Sequence, residues 1–261
     1  MDLGLRGRTA LVTGASKGIG RAVAEGLAAE GCDLHLVART AADLETAAAR
    51  IGEAHDVTVV VHARDLSDSS VIPGLLEEAR EVDILVNNAG AITGGDLVAV
   101  EEATWREGWE LKVFGYINMT RAFYARMRER GSGVIINVTG LAGQKLDANY
   151  IAGSAGNASL DAFTRAAGAY SLEHGVRIVS VSPGAVATDR IVNLLRGKAE
   201  AELGDPERWQ SYLANLPMSR AARPEEVANL VVFLASDRAS YLSGAIYNVD
   251  GGHNARGGSF T

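Results

Sequence analysis

Residue type and spacing speak most directly of chemistry at Thr13-Gly14-Ala15-Ser16-Lys17-Gly18-Ile19-Gly20. In such a loop Gly14 permits a tight turn. Gly18 lets the backbone come close to a ligand, and Gly20 lets the next helix pack on the preceding strand. The apolar run Thr9–Thr13 lies before it, and Ile19, Val23 and Leu27 step by four within and after it. The loop therefore joins a strand to the start of a helix. A helix start offers unpaired N–H groups and a positive dipole end, which suit a phosphate. Gly14, Ser16, Lys17, Gly18, Ile19 and Gly20 are the predicted phosphate-binding set; the bland alternative is a glycine-rich turn with no ligand.

Holding that loop in place takes alternating strands and helices, and the chain supplies them. Strand candidates recur at Thr9–Thr13, Leu34–Ala38, Val57–His62, Ile84–Asn87, Val134–Val138, Arg177–Val181 and Ala245–Val249. All are near-continuous apolar runs, as expected of strands covered on both faces. Helical stretches lie between them: Leu44, Ala48 and Ile51 keep one face, and a helix from about Trp109 ends at Arg128-Glu129-Arg130-Gly131, cations followed by glycine. The pattern predicts an α/β fold, a single-domain, Rossmann-like, doubly wound parallel sheet of about seven strands with helices on both faces. One domain spans 1–261, with no linker or repeat. The polar, helical stretch at about Arg190–Leu216 is its irregular part, and reads either as a substrate lid or as a surface excursion.

Composition narrows the field. At 261 residues, 47% hydrophobic and 22% charged, the chain is an ordinary globular protein and not a disordered one. Its one cysteine, Cys32, cannot form an intrachain disulfide, and the five histidines show no ligand spacing, so no metal is expected. A net charge of −7 argues against nucleic acid or an anionic membrane as partner. No apolar run approaches the ~20 residues of a membrane span, and the N-terminus lacks the features of a signal peptide. A cytoplasmic protein is expected.

Further motifs follow the glycine loop in a fixed order: Asp65-Leu66 after the third strand, Asn87-Asn88-Ala89-Gly90 after the fourth, Pro183-Gly184-Ala185-Val186-Ala187-Thr188 after the sixth, and Asp250-Gly251-Gly252 after the last. With Gly-x-x-x-Gly-x-Gly in the first loop, the whole chain resembles the short-chain dehydrogenase/reductase family. The resemblance implies that Asp65 and Leu66 meet the adenine, and that Asn88, Ala89 and Gly90 run beside the adenosine ribose. It implies that Pro183, Gly184, Val186 and Thr188 wrap the nicotinamide and pyrophosphate.

The second strand ends Val37-Ala38-Arg39. An NAD enzyme of this fold usually has an acid there for the ribose hydroxyls, whereas an arginine nearby accommodates a 2′-phosphate. Alanine in place of the acid, Arg39 beside it and Lys17 in the loop predict NADP(H), with NAD(H) as second candidate. The alternative leaves both cations as solvated surface residues.

By the same resemblance the chemistry uses a tyrosine as acid and base, a lysine four residues later, a serine near the end of the preceding strand and an asparagine on the preceding helix. Tyr150 takes the tyrosine place, and Ser154 stands where the lysine is expected, with a hydroxyl suited to the nicotinamide ribose. Thr139 and Gly140 fall on two serine places, so Thr139 supplies the nearest hydroxyl or is an ordinary strand residue. Only ten residues separate Gly140 from Tyr150, against the family's usual thirteen or so. Lys112 holds the asparagine place. Its ammonium either reaches the space near Tyr150 and acts there, or is solvated or packs along its helix. The expected function is NADP(H)-dependent reduction of a small-molecule ketone or aldehyde, or oxidation of the matching alcohol, by a homodimer or homotetramer. The rival is a dinucleotide-binding sensor or assembly protein with little turnover, which the missing lysine favours.

Overall fold

The computed structural model describes residues 2–256. Seven parallel strands form one sheet in the order β3-β2-β1-β4-β5-β6-β7. They are β1 (Thr9–Thr13), β2 (Asp33–Ala38), β3 (Val59–Ala63), β4 (Ile84–Asn87), β5 (Gly133–Val138), β6 (Val176–Pro183) and β7 (Ile246–Val249). The helices are α1 (Gly18–Ala29), α2 (Ala41–Ala54), α3 (Ile72–Glu78), α4 (Glu102–Trp109), α5 (Gly115–Arg130), α6 (Ile151–Gly168), α7 (Asp189–Leu203) and α8 (Pro224–Ala235).

Neighbouring residues of a strand point to opposite faces, and both faces here are covered. Ala10, Val12, Val86, Ile136 and Val179 pack with Val23 and Leu27 of α1 and Val231 of α8. Leu11, Leu85, Ile135 and Ile178 pack with Leu75 of α3 and Met119 and Phe123 of α5. A continuous apolar run is what such a strand needs, and the inner strands have it; the edge strands β3 and β7 are only half-buried.

The strand order reverses beside β1, which pairs with both β2 and β4. A crevice opens at such a switch point, at the carboxyl ends of the strands. A buried polar seam fixes the neighbouring strand ends. Asn87 Nδ2 donates to Asn137 Oδ1 at 2.9 Å and to Thr120 Oγ1 at 3.1 Å, and Asn137 Nδ2 donates to Thr164 Oγ1 at 3.0 Å. The seam ties β4 and β5 to α5 and α6.

The helix expected from about Trp109 is divided. A π turn at Glu110–Phe114 separates α4 from α5, and it carries Lys112 into the interior. The predicted stop is present: Gly131 sits at φ 74°, the left-handed conformation that glycine adopts freely. The stretch 190–216 is mostly α7 followed by short 3₁₀ turns at Pro206–Asn215. Among the described residues no helix is long and apolar enough to cross a membrane.

Backbone comes very close to backbone at the crevice where Gly20 meets Gly14. A Cβ at Gly20 would run into the Gly14 carbonyl oxygen and press on the Asn88 side chain. Gly20→Ala should therefore lower stability by about 1–3 kcal/mol in urea unfolding, because backbone cannot yield as a side-chain tip can. A midpoint and slope equal to the wild type would contradict this packing.

Candidate active site

The glycine loop has the conformation its sequence demands. Gly14 and Gly18 lie at φ +65° and +57°, and a Cβ at Gly14 would stand 2.9 Å from Ala89 Cα. Lys17 occupies the N-cap of α1 in an extended conformation without a capping side-chain bond, and the first turn holds no acid. The first N–H groups of α1 thus face outward unpaired, next to the Lys17 side chain, as an anion requires. Ser16 and Ile19 are half-buried around them.

Thr13 and Asn88 clamp this loop to the one after β4. Thr13 Oγ1 accepts from Asn88 N at 2.8 Å and from Ala89 N at 3.0 Å, while Asn88 Nδ2 donates to Thr13 O at 3.0 Å. Gly90 continues from there, exposed. Arg39 follows β2, exposed, with no ion pair among the described residues. Asp65 accepts from Ser67 N and Oγ through Oδ1, leaving Oδ2 for another donor, and Leu66 is buried beneath. Gly184 N donates to Val249 O, which closes the Pro183 end of β6. Val186 pairs with Ala222, and the Thr188 methyl lies 3.1 Å from where a Gly18 Cβ would be. The expected cofactor residues from β1, β2, β3, β4 and β6 thus all lie at or follow the carboxyl ends of their strands. Glycine cradle, uncapped helix start and unpaired cations together fit a dinucleotide phosphate.

Tyr150 stands at the N-cap of α6, half-buried. Its Oη accepts a hydrogen bond of 2.8 Å from Arg190 Nη2. The same guanidinium donates to Ile92 O at 2.9 Å and to Gly90 O at 3.3 Å. Arg190 is the second residue of α7, two places after Thr188, so Tyr150 lies between the loops that follow β4 and β6.

Three neighbours that could have served Tyr150 are bonded elsewhere. Lys112 makes no hydrogen bond to Tyr150. Its stem crosses under Gly90, where the absent side chain leaves room, and Nζ donates to Val138 O at 2.7 Å and Tyr116 Oη at 2.8 Å. Only 8% of Lys112 is exposed. Burial, with the Arg190 charge adding to it, brings its amine down to about 7, and burial pushes the Tyr116 phenol up. Ser154 is not free for a ribose: its Oγ accepts from Asp147 N and donates to Asp147 O, closing the loop before α6. Thr139 turns to Asp161 and Ser180, each 2.9 Å from Oγ1, and makes no hydrogen bond with Tyr150. Burial raises the Asp161 carboxyl, against the Thr139 bond that lowers it.

Two further residues explain the short spacing before Tyr150. Thirteen residues after Gly140 comes Gly153, and four later Asn157. A Cβ at Gly153 would fall on the Tyr150 ring, so the phenol fills the space that a side chain at 153 would take. Asn157 lies beside Gly140: a Cβ there would be 3.3 Å from the Asn157 amide. Asn157 is 4% exposed, with Nδ2 on Gly153 O and Oδ1 without a partner. The count from Gly140 held this signal in the sequence; Arg190 left none, since a cation at the start of a polar helix reads as surface.

A family model described as enoyl-(acyl carrier protein) reductase matches residues 14–254. Galactitol 2-dehydrogenase (L-tagatose-forming) of Cereibacter sphaeroides is 35% identical, over 95% of this chain and 96% of its own. A 3-oxoacyl-(acyl-carrier-protein) reductase of Synechocystis sp. is 36% identical, over 95% and 97%. L-sorbose reductase from Gluconobacter frateurii, crystallised with NADPH and L-sorbose, superposes with a TM-score of 0.91 at 32% identity, covering 98% of this chain and all of that one.

The buried amine has a measurable consequence. Its folded value of about 7 lies below the ordinary 10.5. Between those values the unfolded chain binds a proton that the folded one has released, so this group adds stability as pH rises from about 7 to 10.5. Lys112→Met should remove that rise, while Tyr116 keeps its 3.0 Å bond to Val138 O. Thermal midpoints measured from pH 6.5 to 10 should climb less in the variant; identical slopes would place the lysine in water.

Proposed function

The chain belongs to the short-chain dehydrogenase/reductase family, and on that premise we propose that it is an NADP(H)-dependent oxidoreductase that reduces a small-molecule ketone or aldehyde, with Tyr150 as the group that protonates the substrate oxygen. The observation that carries this reading is the place of Tyr150 Oη, hydrogen-bonded to Arg190 just after the Pro183–Thr188 loop and beside the Gly90–Ile92 backbone. A phenol there stands where both cofactor loops converge.

NADPH, when bound, supplies the hydride that goes to the carbonyl carbon. The chain's own residues do the rest. The uncapped start of α1 and Lys17 hold the pyrophosphate side, and Arg39 meets the 2′-phosphate that an acid at Ala38 would repel. Asp65 Oδ2 is free to accept from the adenine amino group. Tyr150 donates its phenolic proton to the oxygen as negative charge develops, and its partial exposure lets solvent return the proton. The stretch 190–216, led by Arg190, is placed to cover the substrate. In the same reading the chain is a homodimer or homotetramer joined through α5 and α6, where Ile117 and Phe163 remain partly exposed and Phe114, just before α5, is exposed.

The test is oxidation of NADPH over a panel of polyhydroxy ketones and 3-oxoacyl thioesters, the compound classes named for its relatives. Turnover should appear with at least one carbonyl and fall by ~10² or more in Tyr150→Phe. Tight NADPH binding without turnover on any compound would favour the rival reading, a nucleotide-binding protein that does not reduce. For the cofactor, Arg39→Asp should turn the preference from NADPH to NADH, because a carboxylate accepts from ribose hydroxyls and repels the phosphate. A wild type binding both equally would defeat the assignment.

A further inference from the structure

A phenol that gives and takes a proton needs a fixed charge to stabilise its ionised form, and Lys112, Ser154 and Asn157 do not place one on Tyr150. The group in contact is Arg190. We propose that Arg190 is the positioning residue of this site: its guanidinium orients the Tyr150 hydroxyl and stabilises the phenolate, the work that a lysine on α6 would otherwise do. The inference rests on the function proposed above for Tyr150.

The geometry supports it on three counts. First, the guanidinium is anchored. Nη1 donates to Gly90 O and Nη2 to Ile92 O, two backbone acceptors held by the clamp between the loops after β1 and β4. A planar group fixed at two points has little freedom left, so the N–H aimed at Oη is pre-organised. Second, the contact is with the oxygen rather than the ring face: Nη2 lies 2.8 Å from Oη, while Cζ is 6.0 Å from the ring centroid. A charged donor at that distance favours the anion of its acceptor.

Third, among the described residues no other cation hydrogen-bonds to Tyr150. Lys112 Nζ is spent on Val138 O and Tyr116 Oη, and Lys145, before α6, lies against His253. On α6 the Arg165 charge acts on Asp161, and on α7 Arg196 pairs with Glu207 and Lys198 with Glu202. On α4 Arg106 pairs with Glu102. Of the acids, Asp96 and Asp147 accept backbone N–H groups of their own loops, Asp161 accepts from Thr139, and Asp189 makes no hydrogen bond to Tyr150. Among the described residues Arg190 alone connects its charge to Oη.

The experiment compares wild type, Arg190→Met and Arg190→Lys, with tyrosines labelled at 13Cζ and the Tyr150 resonance assigned by its loss in Tyr150→Phe. In Arg190→Met the titration midpoint of Tyr150 should move upward by about one pH unit or more. In Arg190→Lys, which keeps a charge but cannot span both carbonyls, it should move about half as far or less. With a carbonyl substrate, kcat for reduction should fall about 10-fold or more in Arg190→Met, recover in part in Arg190→Lys, and lose activity at high pH later than the wild type. A purely structural role would lower the thermal midpoint and leave the titration unmoved. An unmoved Tyr150 titration in Arg190→Met overturns the proposal even if activity drops. A moved titration in a wild type without turnover keeps the pairing and overturns the catalytic reading of Tyr150 instead.

Discussion

The contact between the start of α1 and the ends of β1 and β4 is the constraint on which the site depends. Gly20 rests against the Gly14 carbonyl, and the Asn88 amide reaches across to Thr13 O and Gly14 O. Because the backbone is bare there, the helix start can approach the switch point and present its N–H groups outward. Because Asn88 and Ala89 are tied to Thr13, the Gly90–Ile92 backbone is fixed as well. Those carbonyls hold Arg190, and Arg190 holds Tyr150. The glycine loop and the Tyr150 hydroxyl are thus two ends of one chain of contacts.

Most of the fold was legible because its inner strands are buried on both sides. Their runs of valine, leucine and isoleucine leave few other interpretations, and the observed ends differ from the sequence reading by two residues at most. The conformation of the glycine loop was legible for a related reason: its glycines carry conformational demands that show in the letters themselves. Gly14, Gly18 and Gly131 all have the positive φ that their positions imply. The division of the helix near Trp109 left no such mark, since a π turn differs from an α turn by one residue in register, and ordinary side chains tolerate both.

The surroundings of Tyr150 are less legible. Sequence distance is a poor guide to its neighbours when a ring reaches back over a turn of helix. Lys112 has length enough for several destinations, and the bare backbone of Gly90 decided among them by opening a path toward Val138. Ser154 is one turn from Tyr150 yet serves the loop before it. Arg190 stands forty residues along the chain, and only the crossing from β6 into α7 brings it to the phenol. Contacts made by long, charged side chains across loops follow from topology, and no local pattern announces them.

The shared space of residues 150 and 153 bears on which substitutions the chain can accept. A large side chain placed at 153 while Tyr150 remains collides with its ring, and loss of Tyr150 alone leaves a hollow over naked backbone. The two positions therefore hold one ring between them, and a bulky residue at 153 is compatible with the rest of the chain only when position 150 is small.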